Sequence, residues 1–288
     1  AETHRTLPYL AASALLRAAD RAYEQGEVLR AVELLDRVIR EFSEQTTPVA
    51  DAYWKKGMIL TSAQRFDEAA QAYESLVNLT GHSQEELERA KTLMVLQLVR
   101  SALRKRELGE VRIAAKDLRQ LVETYPDSVE AHRGYIETKV MLKEWDEVRQ
   151  FYESLIKQVP DNPPSRYGLG LVLSYAPQPN FNLVIKTIQE AIRLNPKISY
   201  FHQTLGWAHE QTERLGTRHA LEQAEAEYRL ALELNDGFLF PEVENNLLLN
   251  LGNIYMKLGN FTEAYRHYAR RKGGGVADRD RMRELLYH

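Results

Sequence analysis

At 288 residues the chain exceeds the usual single-core domain, so it holds either two globular domains or one elongated repeat array. Hydrophobic residues at 44% and charged residues at 27% are ordinary soluble values and argue against disorder, while a net charge of -3 argues against a general nucleic-acid binder. The absence of cysteine excludes a disulfide framework, a thiolate zinc site and a thiol nucleophile, and fits a bacterial cytoplasm or periplasm equally.

In chain order, the stretch Leu7 to Leu16 has a faint likeness to the apolar core of a signal peptide. A helix start is the better reading, with Thr6 as cap and Pro8 in the first turn. No stretch approaches the roughly 18 consecutive apolar residues of a membrane-spanning helix, so no membrane insertion is expected. The chain opens on Ala1 rather than Met, and the expectation is a segment of a larger protein.

From there a two-helix unit recurs. Its second helix carries a small or branched residue at Ala31, Ala69, Ala114, Val148, Val184, Ala224 and Ala264, at successive spacings of 38, 45, 34, 36, 40 and 40. The first helix carries a small residue at Ala19, Gly57, Ala102, Gly170, Gly206 and Gly252; the fourth unit has Ile136 there and departs from the pattern. A large residue follows on the second helix at Leu35, Tyr73, Leu118, Tyr152, Ile188, Tyr228 and Tyr268. Pro126, Pro160 and Pro196 close three units, because proline cannot continue a helix. The long spacing of the third unit follows Thr80 to Gln84, where Ser83 and Glu86 form a capping-box pattern that predicts a long helix. Residues around Leu215 to His219 lengthen the sixth unit, and the turn Ala176 to Asn180 the fifth.

The last unit is the most complete. Leu248, Leu251 and Tyr255 share one helix face, Gly252 leaves room for a partner helix, and Gly259 suits the turn. Phe261, Ala264 and Tyr268 follow on the second helix. This pattern resembles the tetratricopeptide repeat family. The resemblance implies an all-α protein, a right-handed superhelical α-solenoid of antiparallel helix hairpins. Its repeats are expected at 12–45, 50–82, 95–127, 129–161, 163–197, 199–237 and 245–273, with 1–288 forming a single solenoid. Residues 276–288, with Met282, Leu285, Leu286 and Tyr287, are expected as a capping helix or the start of an eighth repeat.

A search for chemistry yields packing explanations. Tyr167-Gly168-Leu169-Gly170 lacks the third glycine and the preceding strand of a dinucleotide fingerprint. His209 and Glu210 open like a metal-binding helix, but Glu213 stands where a second His is needed. His202 and His209, seven residues apart, lie about 10 Å apart along the axis, too far for one ion. No nucleophile elbow is present. The basic groups Arg100 to Arg119 and Arg266 to Arg283 read as solvated surface rather than a nucleic-acid site. No catalytic residue, metal or cofactor is expected, and the chain reads as a non-enzyme.

The family resemblance implies a concave groove lined by first helices, where partner segments are held. Carried over position by position, it places Tyr23, Trp54, Met58, Tyr167, Tyr175, Tyr200, Gln203, Trp207, Asn246 and Asn253 there. Large amphipathic rings at such a surface are suited to anchoring a partner. The lysine pair of the carboxylate-clamping subtype is missing, which favours an extended or helical segment with apolar side chains. The leading expectation is therefore a protein–protein interaction scaffold. The alternatives are a peptide-sensing regulatory domain, or the recruiting arm of an enzyme whose catalytic domain lies elsewhere. Homo-oligomer formation stays open.

Overall fold

The computed structural model describes residues 2–81, 83–212, 218–235 and 241–271. Among these every regular element is an α-helix. They are α1 (Glu2–Glu24), α2 (Val28–Glu41), α3 (Thr46–Ser62), α4 (Phe66–Val77), α5 (Gln84–Glu107), α6 (Val111–Thr124) and α7 (Val129–Met141). There follow α8 (Trp145–Gln158), α9 (Pro163–Ser174), α10 (Phe181–Leu194), α11 (Ser199–Thr212), α12 (Arg218–Leu234), α13 (Pro241–Lys257) and α14 (Phe261–Arg270). The chain divides into two compact units, 1–135 and 136–288. The tail 276–288 and most of the expected lengthening at 215–219 lie outside the described residues.

The start of α1 differs from the sequence reading. The helix already runs from Glu2, so Thr6 is not its cap and Pro8 sits inside it. Proline is tolerated there because the break falls near a helix end, where few backbone bonds are lost. The capping box expected at α5 is present: Ser83 Oγ accepts from the Glu86 backbone N–H, and the Glu86 carboxylate accepts from the Ser83 N–H.

One turn design closes five of the hairpins. Gly26, Gln64, Gly109, Lys143 and Gly259 all have φ between 57° and 89° and stand five residues before the small or branched residue of the second helix. The following N–H donates to the carbonyl five residues back, as in Glu27 to Ala22 at 2.8 Å and Asn260 to Tyr255 at 2.8 Å. This is the Schellman arrangement, which stops a helix and reverses the chain.

A second device joins hairpins and has no counterpart in the sequence reading. The carbonyls of Pro126, Pro160 and Pro196 each accept from a side chain six residues on: His132 Nε2, Arg166 Nε and His202 Nε2, all at 2.9 Å. A carbonyl at a helix end has no intrahelical donor, so a fixed side-chain donor sets how the next helix enters.

The core forms where small and large residues meet. Within unit 1 a Cβ on Gly57 would lie 2.5 Å from the Tyr73 ring; within unit 2, one on Gly170 would lie 2.5 Å from Ile188, and one on Gly252 2.3 Å from Tyr268. The fourth hairpin, with Ile136 in the small position, uses another solution. Tyr152 packs against Gly168, at the start of the next hairpin, where a Cβ would lie 2.3 Å from the ring. Leu118 uses Gly134 in the same way, at 2.9 Å. The two glycines of Tyr167-Gly168-Leu169-Gly170 thus serve two neighbouring helices, Gly168 for α8 and Gly170 for α10.

Candidate functional site

Three of the expected groove residues lie in unit 1 and form a strip. Trp54 and Met58 are four residues apart on α3, and Tyr23 of α1 donates its hydroxyl to Ser62 Oγ at 2.9 Å, one turn beyond Met58. Tyr23 is 40% exposed and Met58 41%, while Trp54 is half-buried. The indole meets the edge of Tyr73 at 6.0 Å, and the Arg89 guanidinium lies 5.3 Å from its centre. A cation over an indole face is attracted by the ring quadrupole.

Trp54 opens onto a cleft of about 280 Å³ lined also by Ala50, Asp51, Leu76, Glu86, Leu87, Arg89 and Ala90. Its far wall is the first part of α5. The 45-residue spacing and the Ser83–Glu86 capping box foretold a long helix, but not that its added turns would face Trp54. On the other side of α5, Glu88, Lys91, Thr92 and Val95 line a second, more polar cleft of about 310 Å³ with Thr124 to Ser128 and Glu130.

In unit 2 the expected residues divide. Tyr175 is 40% exposed at the end of α9, Asn246 is exposed on α13, and Gln203 and Trp207 are half-buried on α11. Trp207 meets the edge of Phe181 at 5.6 Å. Asn253 accepts a hydrogen bond from the Tyr268 hydroxyl at 2.8 Å, which engages it within its own hairpin.

Tyr167 and Tyr200 do not line a surface. Tyr167 is fully buried, stacked on Phe201 at 4.8 Å and 24°, with its hydroxyl 3.2 Å from Thr204 Oγ1. Tyr200 is 9% exposed. Position in the repeat locates a residue on the first helix, but the next first helix decides whether solvent reaches it. For Tyr167 that helix brings Phe201 down onto the ring.

The polar residues singled out by sequence are packed or paired. His209 is buried, and burial pushes its pKa down. Burial also lowers that of His202, but hydrogen bonds to Glu227 and to the Pro196 carbonyl, with the Glu227 charge, outweigh it and leave the pKa raised. Arg104, Lys105 and Arg119 pair with Glu107, Asp117 and Glu123. Among the described residues no group of three or more histidines and carboxylates could hold a metal ion, and no helix is long and apolar enough to cross a membrane.

The hairpin turns, the glycine–ring contacts and the proline-ended second helices recur at one register. Tetratricopeptide repeat family models match residues 16–83, 99–163 and 247–281, together more than half of the sequence. The chain belongs to the tetratricopeptide repeat family. Repeats of this family serve generally as protein–protein interaction scaffolds. No curated protein matches the sequence. Among solved structures, a tetratricopeptide repeat protein from Parabacteroides merdae is similar over 96% of this chain and 99% of its own, at 14% identity and a TM-score of 0.51. A thermophilic tetratricopeptide protein of Thermus thermophilus is similar over 67% of this chain and 100% of its own, at 17% identity and a TM-score of 0.49. The first likeness supports the fold.

Proposed function

We propose that this tetratricopeptide chain is a non-catalytic scaffold that holds a segment of a partner protein against its first helices, and that it is part of a larger bacterial protein. The observation that carries the reading is the cleft beside Trp54. A half-buried indole with an apolar floor of Ala50, Leu76, Leu87 and Ala90 suits an apolar side chain of an extended or helical segment. Asp51 and Glu86 at the same cleft favour a basic residue next to that side chain. In unit 2, Trp207, Gln203, Tyr175 and Asn246 remain as candidate contacts, whereas Tyr167 and Tyr200 are core residues.

Affinity capture from native lysate tests the reading, with the wild type set against a Trp54→Ala/Trp207→Ala variant of unchanged helical circular dichroism. A partner held by the wild type and lost by the variant is the expected result. A partner held equally by both overturns the assignment to these first helices.

A further inference from the structure

Helix α5 has 24 residues against 17 in α3. Both end five residues after their small residue, Ala102 and Gly57, so the excess lies wholly at the start of α5. This extension is a wall with two sides. Leu87 and Ala90 face the Trp54 cleft, whereas Lys91 and Val95 face the second cleft. At about 100° per residue the two sets point in opposite directions. Between them runs an exposed ridge of Glu85, Glu88 and Arg89.

One insertion outside the repeat pattern therefore builds both clefts, and both have fixed rims. The Ser83–Glu86 capping box holds the start of α5. Across the second cleft, His132 Nε2 holds the Pro126 carbonyl at 2.9 Å, and Ser128 Oγ accepts from the Ala131 N–H at 3.2 Å. A rim that is already ordered loses little freedom when a ligand arrives. The clefts and ridge carry Asp51, Glu85, Glu86, Glu88, Asp127 and Glu130 against Arg89 and Lys91, a net charge of -4 where the whole chain has -3. Glu85 and Glu86 suit any helix start. Asp51, Glu88 and Asp127 stand outside a first helical turn, so helix dipoles do not account for them. The Glu88–Lys91 pair, at 3.2 Å, is solvent-exposed and weak.

We propose that the partner segment is a basic, extended peptide that saddles α5, with an apolar side chain beside Trp54 and an arginine or lysine in the second cleft. The proposal rests on the assignment of the Trp54 cleft to the partner and adds the segment's charge, length and second anchor. Opposite potentials supply the register. Half a circuit around a helix about 12 Å across, with a backbone riding above it, is about 25 Å. Extended chain covers that in about seven residues.

Random peptides of about twelve residues, displayed on phage and selected on the wild type, are expected to converge on one pattern. It is an apolar residue with an arginine or lysine about seven places away. By fluorescence anisotropy, replacing that basic residue with alanine should weaken binding about tenfold. Glu88 and Asp127 are exposed, so Glu88→Gln/Asp127→Asn should leave circular dichroism unchanged. That variant should weaken the unaltered peptide about as much and the alanine peptide no further, because both changes break one contact. Trp54→Ala should remove binding of either peptide. Loss with Trp54→Ala but full affinity with Glu88→Gln/Asp127→Asn overturns the saddle and leaves the Trp54 cleft as the partner site. Full affinity with Trp54→Ala overturns both readings. Selected sequences that are acidic or uncharged, or a selection that yields no binder, also overturn the proposal.

Discussion

Trp54 and Tyr167 occupy the same place in their hairpins, three residues before the first-helix glycine, yet one opens onto a cleft and the other is sealed. The difference lies in the next first helix. In unit 2 that helix sets Phe201 on the Tyr167 ring and Thr204 beside its hydroxyl. In unit 1 the corresponding residues of α5 are Gln97 and Arg100, which offer no ring, and the cation of Arg89 lies over the indole. A repeated backbone thus fixes where a side chain stands, while a single residue one hairpin later fixes whether a ligand can reach it.

Removing the seal should have the largest effect. Phe201→Ala is expected to destabilise unit 2 by about 3–5 kcal/mol, the usual range for deleting a buried ring. Guanidinium unfolding would measure the loss, and tyrosine quenching would report whether Tyr167 becomes accessible. A loss near zero would mean that Tyr167 is held by its own hairpin and that the comparison with Trp54 is wrong.

The histidines that cap proline carbonyls separate the two units by pH. His132 is fully buried, and burial pushes its pKa down to about 4, against the modest upward pull of the Pro126 carbonyl. Its neutral ring donates from Nε2. The unfolded chain, titrating near 6.5, binds the proton more readily, so this contribution is complete above about pH 6.5 and is lost as pH falls toward about 4. The full swing is about 3 kcal/mol for a shift of that size. His202 runs the other way, because its folded pKa is raised. Its contribution is complete below the unfolded value and is lost as pH rises through the folded one. Unfolding free energies of His132→Gln and His202→Gln across pH 4.5 to 8.5 should therefore converge on the wild type at opposite ends of the range. Curves parallel to the wild type would remove both histidines from the pH dependence.

Glycine to alanine changes test the two close approaches made between neighbouring hairpins. At Gly168 a Cβ would lie 2.3 Å from Tyr152 Cε1, and the ring is fully buried. Gly168→Ala should cost about 1–3 kcal/mol by overpacking. At Gly134 the nearest atom is Leu118 Cδ2 at 2.9 Å, the end of a side chain that can rotate. There the gain in helix propensity, about 1 kcal/mol, should offset the contact and leave Gly134→Ala near neutral. Equal losses at the two sites would show that Leu118 is as fixed as Tyr152.

Much of the fold was legible because its determinants are local. The small residues, the turn glycine Gly259 and the closing prolines all act within one hairpin, where spacing alone identifies them, whereas the turns at Gly26 and Gly109 emerge from the structure. Gln64 and Lys143 take the same left-handed turn without being glycine, so composition does not reveal them. The candidate site was less legible, because exposure is set between hairpins. Register placed Tyr167 and Tyr200 on the same footing as Trp54, and nothing within their own hairpins announces Phe201. Arg89 and Leu87 were missed for a related reason: they belong to the extension of α5, outside the repeat pattern. The proline caps escaped notice because His132, Arg166 and His202 share a position but not a residue type.

The smallest expected effect concerns Gln97, which stands where Phe201 stands in unit 2. It is fully buried, and neither amide atom finds a hydrogen-bond partner among the described residues. A buried amide without partners loses its hydration and gains nothing in return, a penalty of about 1–3 kcal/mol. Leucine has a similar volume and no polar atom, so Gln97→Leu should stabilise unit 1 by about 1 kcal/mol, read as a shift in the guanidinium midpoint at unchanged slope. The amide also bears on the comparison with Tyr167. If Gln97 only fills space, the variant gains stability and captures the partner as the wild type does. If Gln97 positions the cleft wall beside Trp54, the same variant gains stability and loses capture. A variant that loses stability would mean the amide is satisfied in solution, and that polar Gln97, like Phe201, is a chosen packing residue rather than the weak point of its hairpin.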